Sequence, residues 1–371
     1  MQSREDRRLR YIDSLRALAA LLVLWVHVSE KFTKVASAGS GWVHELTVPI
    51  NAGRIGVVIF FAISGFVVPF SIKLAHRYPV REFLLTRFFR LYPAYWLSIP
   101  LGVLTTYWIW KIPMAPSAIL VNLTMLEYIF DVPPAIGLYW TLAIEFVFYV
   151  ICALLVLTGD IVRYRRIGVI AVALIALHVM IIIVSLRLHN GAWYGGSFWP
   201  MHIGIMLWGT LYRAEMSGLA SGRFERACLW GTALFVVALY PFVLGRFFGV
   251  PYQHTIGYSI GVLIFIVGTR VLRFGWPPLP WLGLISYSIY LFHPVVFNVL
   301  LRVVQSSPSD SWLRNWHLGW YVLVVLLLTI AFAALVYYLV ERPSIRLGRR
   351  IAKRWFGDAD AAPAQAVATP A

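Results

Sequence analysis

Apolar runs of about twenty residues, separated by short arginine-rich segments, recur along the whole 371-residue chain. A hydrocarbon core of about 30 Å takes about 20 residues of helix to cross. The pattern therefore predicts ten transmembrane helices, over 12–33, 51–72, 87–110, 137–158, 165–186, 198–214, 226–245, 253–271, 281–304 and 318–341. Continuous apolar runs predict an all-α fold, because β-barrel strands are short and alternate in polarity. The stretch 112–136 is apolar but broken by Pro113, Pro116, Pro133 and Pro134, which predicts a re-entrant or interfacial segment. A basic segment over 1–11 precedes the transmembrane domain, 12–343. Residues 344–371 read as a largely disordered tail, its end rich in alanine and proline. No internal repeat is visible.

Composition agrees with the pattern. Sixty per cent of residues are hydrophobic and 13% charged, about half the charge of a soluble domain, and mean hydropathy is +0.75. A soluble enzyme of this size is excluded. The 32 basic and 16 acidic residues give a net charge of +16. With the N-terminus inside, 23 basic residues fall in cytoplasmic segments and 7 in outer loops, which predicts both termini cytoplasmic. Basic residues spread over six segments also exclude a nucleic-acid partner. Cys152 and Cys228 lie in apolar runs without metal-ligand or CxxC spacing, so neither a disulfide framework nor a metal site is expected. Trp42, Trp193, Trp199 and Trp312, in or near outer loops, suit membrane-interface anchoring, with stacking on sugar rings as the alternative.

Charged and titratable side chains inside membrane spans are costly and mark candidate function. Glu145 lies well inside a run, Asp13 and Glu341 lie at run ends, and Arg16, His27, Arg54, His178, His202 and His293 complete the set. Arg16 and His27 are eleven residues apart; at about 100° per residue both leave one helix face, about 16 Å apart in height. Asp13, one turn before Arg16, is placed to pair with it. A snorkelling arginine and a hydrogen-bonded core histidine fit the same spacing. Counted from the outer ends of their runs, His27 and Glu145 lie at similar depth, about 10 Å below the surface. They meet if their helices are neighbours, as a site or as a structural pair. His293 precedes Pro294, which frees a backbone carbonyl that needs a partner in a membrane; a structural histidine and a site histidine both fit. Arg87 and Arg90, one turn apart, suit a phosphate-rich ligand or simple anchoring. His178 and His202 have no companion motif and read as core histidines, and Arg54 as a snorkelling side chain.

These residues form a pattern. Arg16 and His27 stand in Tyr11-Ile12-Asp13-Ser14-Leu15-Arg16, followed by Phe60-Phe61-Ala62-Ile63-Ser64-Gly65-Phe66, Arg87-Phe88-Phe89-Arg90-Leu91-Tyr92-Pro93 and Trp140-Thr141-Leu142-Ala143-Ile144-Glu145. Ser286-Tyr287-Ser288-Ile289-Tyr290-Leu291-Phe292-His293 and Glu341-Arg342-Pro343 close the series. Over about residues 11–343 the chain resembles the acyltransferase 3 family of bacterial integral-membrane O-acyltransferases. Ser14 replaces the family's usual glycine, and Thr141 its serine with the hydroxyl kept.

The resemblance implies a multi-pass protein of the bacterial inner membrane. It would move an acyl group, acetyl by default, from cytoplasmic acyl-CoA to a hydroxyl of a cell-surface or lipid-linked glycan. Its partners are acyl-CoA, the sugar acceptor and membrane lipid, and no cofactor is permanently bound. His27 and Glu145 become catalytic candidates, with His27 as general base oriented by Glu145; an acyl-histidine intermediate is the other route. Arg16, Arg87 and Arg90 become candidate ligands of the donor's phosphates. Asp13, Ser64, Trp140, Thr141, Tyr287 and His293 are supporting candidates, with Ser64, Thr141 or the opened backbone near Pro294 as oxyanion stabilisers. A conduit along the Arg16–His27 face is expected to carry the donor's arm. The rival class is a proton-coupled transporter or flippase, which buried carboxylates and histidines also suit.

Overall fold

The computed structural model describes residues 4–39, 41, 50–188 and 199–356. In chain order the helices are α1 (Arg4–Phe32), α2 (Ala52–Val67), α3 (Pro79–Gly102), α4 (Pro116–Asn122), α5 (Tyr139–Leu157), α6 (Tyr164–Leu188) and α7 (Trp199–Met216). They continue with α8 (Arg223–Leu234), α9 (Tyr240–Phe248), α10 (Ile256–Val267), α11 (Pro278–Leu284), α12 (Ser286–Ser306), α13 (Leu318–Val336) and α14 (Arg342–Phe356). No β-sheet forms among the described residues; an isolated bridge joins Ala38 and His317. Trp42 and Trp193 lie outside the described residues, Trp199 is half-buried and Trp312 exposed.

Helix overlaps every one of the ten sequence-predicted runs. Among the described residues, seven stretches are long and apolar enough to cross a membrane: Arg10–Phe32, Ala52–Ser71, Tyr139–Leu157, Tyr164–Leu188, Arg223–Phe248, Ser286–Ser306 and Leu318–Phe356. Ile256–Leu272 is a shorter apolar helix. The two remaining predicted spans fall in α3, which carries Arg81, Glu82, Arg87 and Arg90, and in α7, which carries His202, Arg213 and Glu215. The reason for their polarity is visible in α7. It is buried on nearly every face, so its polar groups meet protein rather than lipid. The perimeter is the reverse: Leu154, Met180, Leu234, Leu263 and Leu327 are exposed from five helices, an apolar surface too extensive for water.

α1 stands between two parts of the core. Ala19 and Val23 pack towards α2, while Ala20, Leu24, Val28 and Phe32 pack towards α12 and α13. Close approach depends on small residues. A Cβ on Gly65 of α2 would meet the Met206 backbone of α7, and one on Gly283 of α11 would meet the Asp13 backbone of α1. Such contacts replace hydrophobic drive as the cement between helices in lipid.

The proline-broken stretch folds back against the bundle. The carbonyls of Asn122, Leu123 and Thr124 have left the helix and accept hydrogen bonds from Tyr95 (2.5 Å), Trp96 (3.0 Å) and Tyr92 (3.2 Å) of α3. The Asn122 side chain accepts from the Ala135 amide at 2.7 Å and donates to the Pro133 carbonyl at 3.0 Å, closing the loop. Irregular backbone survives at this depth because side chains satisfy it.

The tail expected over 344–371 starts as helix. Residues 344–356 belong to α14, and 357–371 lie outside the described residues. Ile345, Gly348, Ala352 and Phe356 recur at helical spacing on one face. A Cβ on Gly348 would press on Phe89, and the Phe356 ring meets Tyr78 at 6.1 Å, so the face is docked on α3.

Candidate active site

Two cavities lie in line between α1, α2, α3, α5 and α12. The wider, of about 1050 Å³, opens at the basic end of the bundle between the 71–79 loop, α3 and α14. The narrower, of about 80 Å³, continues into the core past Ser64, Thr141, Glu145 and Tyr287. Arg16 and Arg90 line both, so the two cavities meet at these guanidinium groups. Helical spacing explains this placement: Arg87 and Arg90 share one face of α3, and Arg16 projects from the matching level of α1.

Asp13 lies 3.8 Å from Arg16. Arg87 is bonded to the Ser71 hydroxyl and lies over the rings of Phe83 and Tyr149 at 5.4 and 5.5 Å. Tyr149 donates to Glu145 at 2.6 Å. Ser288 donates to buried Glu341 at 2.8 Å. Glu341, Tyr149, Glu145 and Tyr287 surround Arg90 electrostatically, yet no ion pair at contact distance or hydrogen bond engages its guanidinium among the described residues. At the mouth, burial of Glu82 would raise its pKa. Hydrogen bonds from Lys73 (2.7 Å) and His76 (2.6 Å), with their charges, outweigh this and hold it below the ordinary value.

Phe60 and Tyr290 also line the narrow cavity, and their rings meet edge to face at 5.7 Å. Tyr290 hydrogen-bonds Thr141 at 2.8 Å, and Thr141 donates to the Leu138 carbonyl at 2.9 Å. His27 is not among the lining residues. It lies beyond this aromatic pair, stacked on His293 with ring centroids 5.4 Å apart and planes within 6°.

His27 Nδ1 and His293 Nε2 are 3.1 Å apart, and His293 Nδ1 is 3.2 Å from the Ile289 carbonyl. A carbonyl only accepts, so His293 carries its proton on Nδ1 and presents a bare Nε2. His27 must then donate from Nδ1, which leaves Nε2 with its lone pair. Pro294, having no N–H for the Tyr290 carbonyl, opens the backbone beside His293. The freed Tyr290 carbonyl only accepts, so it cannot donate to an oxyanion; the His293 ring bonds the neighbouring Ile289 carbonyl.

Glu145 does not reach His27. It lies one turn along α5 from Thr141, towards Arg16, whereas His293 lies three residues beyond Tyr290 in the other direction. The levels differ by about 10 Å. Equal depth requires α5 to start at the surface, but it begins among buried residues, Ala135, Ile136, Leu138 and Tyr139, behind the folded-back stretch.

The comparisons decide the class. Residues 9–338 match the acyltransferase domain that defines the acyltransferase 3 family. The chain belongs to that family. The acyltransferase is 27% identical, over 91% of its length and 83% of the relative's, to BcsY of Komagataeibacter xylinus, named as a membrane-bound transacylase. It is 28% identical to the exopolysaccharide production protein ExoZ of Rhizobium meliloti, over 82% and 92%. It is 25% identical to YrhL of Bacillus subtilis, named as a peptidoglycan O-acetyltransferase, over 92% of this chain and 56% of that one. No solved structure matches. The protein is thus a multi-pass membrane acyltransferase, and the carrier reading is set aside.

Around one pair of cavities the acyltransferase gathers Arg16, Ser64, Arg87, Arg90, Thr141, Glu145 and Tyr287. Trp140 packs beside them on His202, at 5.5 Å. His202 and Tyr258 hydrogen-bond at 3.1 Å, Tyr258 accepts from Arg54 at 3.3 Å, and His178 pairs with Tyr240 at 2.8 Å. These have the geometry of structural hydrogen bonds. Tyr149, Tyr290 and Glu341 were not singled out as site residues. Tyrosine carries no signal in a chain so rich in aromatics, but Glu341 is an acid at a span end and already stood out.

Proposed function

We propose that the acyltransferase takes an acyl group, acetyl by default, from acyl-CoA at the cytoplasmic face of a bacterial inner membrane. It passes the group to a hydroxyl of a polysaccharide or lipid-linked sugar on the other side. The observation that carries this reading is the pair of cavities joined at Arg16 and Arg90, running from a cationic mouth to the Tyr290 wall beside His27 and His293. The predominance of arginine at the wide end supports a cytoplasmic orientation. Relatives named for exopolysaccharide production and peptidoglycan O-acetylation support a glycan acceptor.

Arg87, Arg90 and Arg16 hold the donor's diphosphate, and its pantetheine arm enters the narrow cavity. Phe60 and Tyr290 part to bring the thioester to His27. His27 Nε2 removes the acceptor's hydroxyl proton as that oxygen attacks the thioester carbonyl. The Tyr290 hydroxyl, turning its proton away from Thr141, donates to the developing oxyanion. The new C–O bond forms, the C–S bond breaks, and the CoA thiolate takes the proton from His27. Glu145 balances the arginine charge below rather than orienting the base.

Two measurements test the reading. Purified protein in detergent, given acetyl-CoA and a saccharide acceptor, releases free thiol at a rate that depends on the acceptor. Cell-surface glycan from cells carrying the protein is heavier by one acetyl unit per modified sugar than glycan from cells without it. Absence of thiol release, or glycans of equal mass, contradicts it.

His293 gives a finer prediction. His293→Phe removes the acceptor that fixes the His27 tautomer, so kcat falls by roughly 10²-fold while donor KM stays within about twofold. His293→Gln keeps an acceptor oxygen and retains more activity than the Phe variant. Equal turnover in both, measured as thiol release, refutes the tautomer argument.

A further inference from the structure

The wide cavity has more positive charge than a diphosphate requires. Besides Arg16, Arg87 and Arg90, its walls carry Lys73, His76 and Arg77 from the loop and Arg349 and Lys353 from α14. Glu82 is the carboxylate among these lining residues, and it is taken up by Lys73 and His76. Arg349 and Lys353 have neither ion pair nor hydrogen bond among the described residues.

α14 is built to aim this pair. Ile345, Arg349, Ala352, Lys353 and Phe356 share one helical face and line the mouth. The helix is docked on α3 through Gly348 against Phe89 and Phe356 against Tyr78. Arg350, Arg354 and Trp355 are exposed and not part of the mouth, as suits a helix lying at a lipid headgroup layer. Two cationic groups of residues therefore face one cavity. One surrounds the junction at Arg90, next to Glu341. The other begins eight residues further along, about 12 Å of helix, and long side chains reach back from it.

We propose that Arg349 and Lys353 form a second phosphate site in the mouth, which takes the 3′-phosphate on the donor's ribose. This rests on the acyl-CoA reading above and adds to it the feature by which the enzyme distinguishes coenzyme A from carriers without that phosphate. A diphosphate alone is satisfied by the arginines at the junction. A ligand with a further dianion one ribose away fills both groups.

The test compares binding of coenzyme A and 3′-dephospho-coenzyme A to the full chain in neutral detergent, for wild type and the Arg349→Gln/Lys353→Gln variant. Wild type binds coenzyme A about tenfold more tightly, as one set of charge-assisted hydrogen bonds predicts. The variant loses that preference and keeps its affinity for the dephospho form, which also shows that it is folded. Equal affinity of wild type for the two nucleotides overturns the proposal and leaves the donor reading standing. Binding of neither by wild type removes the donor reading and the proposal with it. A parallel arm uses vesicles of neutral or anionic lipid. If the substitutions weaken only association with anionic vesicles and leave the nucleotide preference intact, the pair serves headgroups and the proposal fails.

Discussion

Replacing His27 with alanine stops acyl transfer while the protein still inserts and folds. The expected loss is roughly 10³-fold in kcat, within the usual range for a general base, and is read as acceptor-dependent thiol release. The folding side follows from position. His27 is half-buried and its ring hydrogen bond goes to His293, so the change leaves one neutral acceptor unpaired, at a cost of about 1–3 kcal/mol. Donor binding is expected to be preserved, because the arginines lie about 16 Å away along α1. Thiol release at the wild-type rate by a folded His27→Ala protein would remove His27 from the chemistry. Loss of donor binding together with activity would place His27 in the wrong part of the site.

The second large effect is at Arg90. Its guanidinium lines both cavities and makes no contact pair among the described residues, while Glu145 and Glu341 lie within its field. Arg90→Ala is expected to raise the donor KM at least tenfold, about the value of one charge-assisted contact. It also leaves two carboxylates with less counter-charge, and the order of 3–5 kcal/mol lost when a buried pair is broken is an upper guide. The two consequences separate. Arg90→Ala combined with Glu341→Gln recovers thermal stability in detergent without recovering donor affinity. Arg90→Lys keeps the charge but not the planar fork, and falls between wild type and alanine in KM. A donor KM unchanged in Arg90→Ala contradicts the phosphate role, whatever happens to stability.

What could be read along the chain was local. The apolar runs placed helices because hydrophobicity over twenty residues is a property of one segment. The common face of Arg16 and His27 was legible for the same reason, since 3.6 residues per turn fixes it. Pairings between helices were not. His27 meets His293, 266 residues away, and nothing in either segment names the other. The expected meeting of His27 and Glu145 failed on depth, because the turn before α5 lies within the bundle and not at its surface. α14 was hidden differently: its periodic face precedes an alanine- and proline-rich end, and composition over the whole tail masked the helical residues 344–356. The count of ten spans rests on hydropathy and on the alternation of basic loops, and α7 shows where hydropathy is a loose guide: a helix enclosed by protein is free to be more polar.

The aromatic pair Phe60 and Tyr290 has a consequence for the cell. A bacterium stores energy as an ion gradient, and a permanently open bore through this bundle would discharge it. In the transfer proposed above, rings closed between the arginine chamber and the imidazoles would let an acyl group cross without water or protons. Substitution of both by small residues should therefore depolarise the membrane.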